Sequence, residues 1–478
     1  MRKTFLFLAA LTIAVAANAF TLRMQNSDLG INKSLSEATD DPDFFGDGKV
    51  SVTFDAANNR VNVTLNNATL KGTNAQELFY FVGDDTYTSV VMDLIGKNYM
   101  IGEGNYSKPI LVQDAFLYVL PEDPGNASLE ISGKTLLIQA NKTKTNAGLF
   151  FGSLIGDPFD LTITTTSSNQ PVFYGSGAGA KQVALWFLAV NVTINASENN
   201  QVTQGFDMMA CGGKIRTAGV TVKDGKTFAK DDADYKGNLV IVAPLSIQVG
   251  TTVMYPDEEF TPAEIKAGSL TYDKATRTVT LDNATIDGRL VVANNNATIY
   301  LKGANKFENT SIDTPERVYS MNVKITGDKD ATLEIDGNNT CPGIYVPNGL
   351  EIGDFAKLTI NNVTKGIVGS SSESETDVLT LNKTPMEIKS TAGVITAFEN
   401  IVMAASGMEW SPAATYNTTT KALEDADGNM LGEVALTKVA AINNVVNNNA
   451  VSGKFIRNGQ LLIEHNGELY NATGAKVK

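Results

Sequence analysis

The chain contains very few of the side chains on which most metal centres and catalytic triads depend. Its 478 residues include one histidine, His465, and two cysteines, Cys211 and Cys341. Imidazole-based zinc and iron sites need two or three histidines, and a Ser-His-Asp or Cys-His site needs one beside its nucleophile. This composition excludes the former and disfavours the latter. Two cysteines cannot form a disulfide framework, so we expect two separate buried thiols, with a single bridge as the less favoured alternative.

The N-terminal segment 1–19 has the features of a cleaved secretion signal. Arg2 and Lys3 precede an apolar run, and Ala17-Asn18-Ala19 forms a small-x-small cleavage site. The apolar run is too short for a membrane span, which takes about 20 residues. We therefore expect an extracellular or cell-surface protein whose mature chain has no transmembrane segment.

The charge balance limits the partners that the protein could bind. Acidic residues outnumber basic ones by 52 to 38, and the formal net charge is −14. An acidic surface repels the phosphates of nucleic acids, so no nucleic-acid partner is expected. The same repulsion disfavours polyanionic sugars. Neutral glycans, or host and surface proteins, are the expected partners.

Matching segments recur in the same order at a shift of about 210 residues, which indicates an internal duplication. The pairs are 65–70 (LNNATL) with 281–286 (LDNATI), 93–98 (DLIGKN) with 300–305 (YLKGAN), and 127–133 (ASLEISG) with 331–337 (ATLEIDG). We infer a first half, 20–244, and a related second half, 245–440.

The matching segments alternate apolar and polar residues with the period of a half-buried strand, which predicts an all-β fold. Turns rich in glycine and asparagine separate them, and the chain has 44 asparagines, a residue that tolerates left-handed backbone. Two arrangements fit this pattern. Strands recurring at intervals of 20 to 25 residues favour two tandem β-solenoid halves, in which each rung contacts its neighbours. Tandem β-sandwiches are the alternative.

The second half resembles repeats of bacterial secreted β-helix proteins, described as carbohydrate-binding-domain-like or pectate-lyase-like. The resemblance rests on the run 268–305, with its Tyr-Asp-x-x-Thr opening, Leu-x-Asn-Ala-Thr-Ile core and Leu-x-Gly-x-Asn close. It covers most of 245–440 and, more weakly, 50–244. It implies a right-handed parallel β-helix. Its motifs are structural, so the function has to be argued from a site.

The C-terminal region differs from both halves. Residues 441–453 form an asparagine-rich linker, and 454–478 contain two apolar runs around Asn466-Gly467, which predicts a small β-hairpin unit. This unit resembles the C-terminal sorting segments of the type IX secretion pathway. The resemblance implies recognition by the secretion machinery, whereas a β unit that caps the protein is the alternative.

The two tryptophans are the candidate carbohydrate platforms, because the C–H faces of sugars pack on flat rings. Trp186 lies in the apolar run 184–188, which predicts a position in the core. Trp410 lies in a loop-like segment that ends in Ser411-Pro412, which predicts an exposed ring and a weak candidate for ligand binding.

One acidic segment is a weak candidate for calcium, which is the only cofactor that the sequence suggests. Asp425, Asp427 and Asn429 offer oxygen ligands at i, i+2 and i+4. The glycine and glutamate that complete an EF-hand loop are missing, and Asp427-Gly428 is also a hairpin turn signal. A solvated turn is therefore the preferred interpretation.

These observations favour a secreted, cell-surface β-helical protein that binds or adheres, with glycans as candidate ligands and without catalysis. A polysaccharide lyase or glycoside hydrolase on the same scaffold is the first alternative, because the 52 acidic residues could supply a catalytic pair. A structural subunit of a surface assembly is the second alternative. No motif identifies catalytic residues.

Overall fold

The computed structural model is all-β, with 61% of residues in strands and no α-helix in its described part. The strands form a parallel β-solenoid of about 11 turns, which confirms the predicted fold class over the tandem sandwiches. The structure describes residues 21–26, 31–35, 50–72, 77–105, 107–122, 125–153, 156–177, 183–294, 296–313, 322–347, 349–370, 377–404, 407–438, 452–457, 460–465, 468–471 and 475–477.

In the first half, each turn of the solenoid contributes one strand to each of three parallel stacks. Three strands precede them: β1 (Thr21–Asn26), β2 (Ile31–Leu35) and β3 (Val50–Asp55). The first stack contains β4 (Arg60–Asn66), β7 (Ser89–Ile95), β10 (Phe116–Pro121), β13 (Gly148–Gly152), β16 (Val183–Leu188) and β19 (Phe206–Cys211). The second contains β5 (Thr69–Gly72), β8 (Lys97–Gly102), β11 (Ser128–Gly133), β14 (Phe159–Thr165) and β17 (Val190–Asn195). The third contains β6 (Glu77–Val82), β9 (Lys108–Gln113), β12 (Ile138–Lys142), β15 (Phe173–Gly177) and β18 (Thr203–Gln204).

Five short strands complete the first half, and three more open the second. The former are β20 (Lys214–Ile215), β21 (Val220–Lys223), β22 (Thr227–Lys230), β23 (Ala233–Asp234) and β24 (Leu239–Val242). The latter are β25 (Ile247–Val249), β26 (Thr252–Val253) and β27 (Ile265–Asp273).

The second half repeats the three-stack arrangement. Its first stack contains β28 (Thr278–Ile286), β30 (Ala297–Lys302), β33 (Asn322–Gly327), β36 (Gly349–Ile352), β39 (Val378–Leu381) and β42 (Asn400–Met403). The second begins on the end of β28 and continues with β31 (Ala304–Glu308), β34 (Thr332–Asp336), β37 (Lys357–Val363) and β40 (Met386–Ser390). The third contains β29 (Leu290–Val292), β32 (Ile312–Asp313), β35 (Ile344–Tyr345), β38 (Ile367–Val368) and β41 (Ile395–Thr396). The half closes with β43 (Met408–Ser411), β44 (Thr415–Asn417), β45 (Ala422–Glu424) and β46 (Glu433–Lys438).

Antiparallel strands flank the parallel stacks in both halves. Strand β3 pairs with β4 and β27 pairs with β28 at the start of each half, whereas β24 pairs with β17 and β46 pairs with β40 at the end. An open strand edge exposes unpaired N–H and C=O groups to other chains. The flanking strands satisfy those groups at the start of each first stack and at the end of each second stack. Among the described strands, β19 and β42 end the first stacks as edge strands.

The alternation of side chains along the strands places one set inside the solenoid and the other outside. In β14, for example, Leu161 and Ile163 are fully buried, whereas Asp160 is exposed. The inward residues form two hydrophobic clusters, one running from Leu22 to Ile241 and the other from Leu245 to Leu436. Each cluster extends along the length of its half.

The duplicated sequence builds the same turn in both halves. Asn98 and Asn305 are buried, and their Oδ1 atoms accept the backbone N–H of Ala68 and of Ala284, each at 2.9 Å. Their Nδ2 groups donate to the backbone carbonyls two and three residues earlier in the chain. Asn67 and Asn283, in the tight turns one solenoid turn earlier, both have φ of 48°. The repeat inferred from the sequence is therefore a repeat of geometry.

The small C-terminal unit is a three-stranded antiparallel sheet of β47 (Ser452–Arg457), β48 (Gln460–His465) and β49 (Glu468–Asn471). Strands β48 and β49 form the predicted hairpin, and β47 adds a third strand. The proposed signal 1–19 lies outside the described residues, as does 441–451 of the proposed linker.

Candidate functional site

Four aromatic residues lie together on the outer surface of the first stack in the first half. Tyr118, Phe150 and Trp186 are in register on the successive strands β10, β13 and β16, and Phe116 precedes Tyr118 by two residues. Their neighbours along the strands, such as Leu149 and the other inward side chains, are fully buried. Because side chains alternate along a strand, the four rings point away from the core. We call these four residues the aromatic face.

The rings of the aromatic face contact one another in a closed cycle. The ring centroids lie 6.2 Å apart for Phe116 and Tyr118, and 5.8 Å apart for Tyr118 and Phe150. They lie 6.1 Å apart for Phe150 and Trp186, and 6.0 Å apart for Trp186 and Phe116, whose planes are inclined by only 23°. Phe150 is 9% exposed, whereas the other three rings are half-buried. The mutual packing therefore holds the rings in place before any ligand binds.

Two glycines in β13 leave room for the rings beside them. A Cβ atom at Gly148 would lie 2.6 Å from a ring carbon of Phe116, and one at Gly152 would lie 2.8 Å from a ring carbon of Phe150. The outward positions of β13 are thus Gly148, Phe150 and Gly152, a small-large-small pattern. A larger residue at Gly148 would displace the Phe116 ring, and one at Gly152 would also meet the backbone oxygen of Leu188.

Carboxylates lie next to the aromatic face at both of its ends. Asp93 of β7 pairs with Leu120 on the strand of Tyr118, and Asp207 of β19 pairs with Ala184 on the strand of Trp186. Burial raises the pKa of the Asp93 carboxyl, and the negative charge of Glu122 adds to the rise. The site is therefore an aromatic surface bounded by acidic groups.

The structure corrects the prediction for Trp186. Within the apolar run 184–188, Leu185 and Phe187 are buried, but Trp186 is on the outer surface and Leu188 is 36% exposed. A short continuous apolar run predicts a strand that is buried on both sides. Here the outer side of that strand is the aromatic face, which the sequence pattern missed because apolar residues occupy both sides. The glycines of β13, with Phe150 between them, were a signal that could have identified it.

The sequence setting of Trp410 predicted a loop, but the residue lies in a strand. It belongs to β43, is in register with Leu436 of β46, and packs against the second hydrophobic cluster as a half-buried residue. It is remote in sequence and topology from the aromatic face. Its role in ligand binding stays a prediction, and its packing gives the ring a structural role.

Asp425, Asp427 and Asn429 come together in an exposed turn between β45 and β46. One carboxylate oxygen of Asp425 accepts the backbone N–H groups of Asp427 and Asn429, both at 2.9 Å. The hydrogen bonds from Asn429 hold the pKa of the Asp425 carboxyl below its usual value. Among the described residues, no group of three or more His, Cys, Asp or Glu side chains is placed to hold a metal ion. These contacts explain the turn without a cation, and calcium binding stays a prediction.

Cys211 and Cys341 are separate free thiols, as the sequence led us to expect, but each is half-buried and not buried. Burial raises the pKa of both thiols, which disfavours the reactive thiolate. Within the described ranges, no helix has the length and apolar character needed to cross a membrane.

The corresponding stack of the second half has a different outer surface. A shallow groove of about 360 Å³ follows β30, β33, β36 and β39. Lys324 and Glu351 form an ion pair of 2.9 Å in it. The polar residues that line the groove are Asn296, Thr298, Asn322, Lys324, Glu351 and Thr380. The duplicated fold therefore has aromatic chemistry on one half and polar chemistry on the other.

Comparison with known proteins adds no family to this description. No protein-family model, no curated protein and no solved structure matches the chain.

Proposed function

We propose that this chain is an extracellular, cell-surface β-solenoid protein that binds glycans through the aromatic face and does not act as a catalyst. The observation that carries the proposal is the cluster of three half-buried aromatic rings packed on a fourth on the outer surface of one parallel strand stack. Flat rings contact the C–H faces of sugars, and rings that are already fixed lose little conformational entropy on binding. The signal-like N-terminus and the sorting-like C-terminal unit support delivery to the cell surface.

Binding to glycans tests the proposal directly. We expect the mature protein to bind members of a polysaccharide array. We expect Trp186→Ala to weaken that binding by about tenfold or more, because it removes the ring that contacts both Phe116 and Phe150. Isothermal titration calorimetry would measure the affinity for the best array member. Tyr174→Ala is the matched control, since Tyr174 is a half-buried surface aromatic on β15, in a different stack of the same half. Equal affinity of the Trp186→Ala protein and the wild type would refute the role of the aromatic face.

Hydrolysis of a glycan at the same surface is the second candidate function. The observation that favours it is the raised pKa of Asp93, next to Glu122 and beside the aromatic face, because glycosidases need a protonated acid near a second carboxylate. Prolonged incubation of the bound polysaccharide, followed by an assay for new reducing ends, separates the two functions. New reducing ends that disappear in Asp93→Asn would establish hydrolysis.

A further inference from the structure

We infer that the ligand of the aromatic face is an uncharged, extended glycan chain that lies along the solenoid axis. This inference rests on the proposed function, and it specifies the direction and the chemical class of the ligand. Two features of the described residues support it. They are the register of the rings and the charges at the two ends of the face.

The register of the rings sets the direction. Tyr118, Phe150 and Trp186 occupy equivalent positions on three successive turns of the solenoid. Parallel strands are about 4.8 Å apart, so the three positions extend over about 10 Å along the axis and across the strands. A ligand that contacts all three rings must follow the same direction. An extended chain of two or three sugar units has the length to do so, whereas a single sugar can contact only part of the face.

The charges at the ends of the face indicate the chemical class of the ligand. Asp93 lies one turn before the face, paired with Leu120, and Asp207 lies one turn after it, paired with Ala184. Each is offset by two residues along the strand from the line of the three rings, to opposite sides, so a chain on that line passes about 8 Å from each of these positions. The six strands of this stack contain one basic residue, Arg60, which is ion-paired with Asp55 at 3.2 Å. Carboxylates accept hydrogen bonds from sugar hydroxyls, but they repel the carboxylates of uronic acids.

The test compares one polysaccharide with its own oxidised form. The probes are an uncharged polysaccharide identified on the array, the same polymer oxidised at C6 to carry carboxylates, and its oligosaccharides from monosaccharide to hexasaccharide. We expect affinity to rise up to the trisaccharide and then level off. We expect the oxidised polymer to bind about tenfold more weakly or worse, a difference that added salt reduces.

Substitution of the two carboxylates completes the test. In the double variant Asp93→Asn, Asp207→Asn, we expect the oxidised and the uncharged polymer to bind with more similar affinity. If binding depends on Trp186 but the oxidised polymer or the monosaccharide binds as well as the uncharged polymer, the inference is wrong and the proposed function stands. If no glycan binds to the wild type, both are wrong.

Discussion

At the scale of single residues, the buried asparagines Asn98 and Asn305 show how strictly a turn can select a side chain. Each amide accepts one backbone N–H through its oxygen and donates to backbone carbonyls through its nitrogen. An ionised aspartate has no donor on its side chain, and the amide of glutamine is one methylene further from the backbone. A buried backbone N–H without a partner costs about 1–3 kcal/mol. The asparagine is therefore required by hydrogen bonding in both halves.

Folding disfavours the ionised form of the Asp377 side chain. Its side chain is fully buried, and one carboxylate oxygen has no hydrogen-bond partner within the described part of the chain. Burial raises the pKa of the Asp377 carboxyl to about 6, and the charge of Glu399 contributes to the rise. An unfolded aspartate titrates near pH 3.9. Between about pH 4 and 6 the folded state binds more protons, so the free energy of unfolding falls as the pH rises through this window.

Replacement of Asp377 by asparagine removes this opposition. We expect Asp377→Asn to raise the free energy of unfolding at pH 7 by up to about 3 kcal/mol, because the neutral amide mimics the protonated acid. Below about pH 4, where both the wild type and the variant are neutral at this position, the difference should vanish. Urea unfolding measured across this pH range is the test, with the exposed Asp330→Asn as control. A gain of stability that does not depend on pH would contradict the argument.

At the scale of elements, β13 combines two tasks on its two sides. Its inward residues Leu149 and Phe151 are part of the first core, where Phe151 forms edge-to-face contacts with Phe173. Its outward residues, two glycines and Phe150, seat the aromatic face. Glycine weakens a strand because it is flexible and has no side chain to pack. The strand tolerates this because β10 and β16 pair with it on both sides.

Gly148→Ala tests the seating of the rings. We expect the new methyl group to displace the Phe116 ring, which would change the environment of Trp186 and weaken glycan binding. Because Phe116 is at the surface, its ring can rotate towards solvent, so the loss of stability should stay below about 1.5 kcal/mol. The fluorescence of Trp186, measured in a Trp410→Phe background, reports the change. An unchanged spectrum and unchanged affinity would show that the ring position does not depend on the glycine.

At the scale of the whole molecule, a buried polar network joins the two halves. The carboxylate of Asp157, in the first half, accepts the backbone N–H and the hydroxyl of Ser246 at 3.0 and 2.8 Å. It also accepts the hydroxyl of Tyr272 and the Nδ2 group of Asn294. Burial and the charge of Asp157 raise the pKa of the Tyr272 hydroxyl, which therefore stays a donor. At the surface, Arg216 forms two hydrogen bonds of 2.8 Å with Asp257 across the same junction.

This junction should couple the unfolding of the two halves. We expect Asp157→Ala to lower the free energy of unfolding by about 2 kcal/mol, because the N–H and hydroxyl of Ser246 and the hydroxyl of Tyr272 lose their acceptor in a part-buried setting. In a solenoid, stability depends on contacts between neighbouring units, so the variant should show two calorimetric transitions where the wild type shows one. Asp160→Ala, which removes an exposed carboxylate close by, serves as the control. A single transition at the wild-type temperature would exclude the proposed coupling.

The repeated motifs made the fold predictable, whereas the candidate site was largely hidden. The segment 65–70 and its counterpart 281–286 carried both the strand period and the turn asparagines, and the structure places them in equivalent turns. Trp186 was assigned to the core because its neighbours are apolar, and Trp410 to an exposed loop because the segment 407–412 is loop-like. Both assignments were wrong because strands distant in sequence set the surroundings of each ring. Local sequence shows which residues are apolar, but the packing of distant strands decides which side of each strand meets the core.

By itself, the sequence determined the β character, the duplication and the chemistry of the turns, because strand period and asparagine geometry are local properties. It also excluded histidine-based metal sites by composition alone. Only the tertiary structure decided which aromatic residues gather. Phe116 and Trp186 are 70 positions apart in the chain, yet stacking of the solenoid turns brings their rings to 6.0 Å. Asp157 and Tyr272 meet in the same way, through the contact between the two halves. These contacts depend on how the solenoid turns stack on one another, and a local sequence pattern does not encode that stacking.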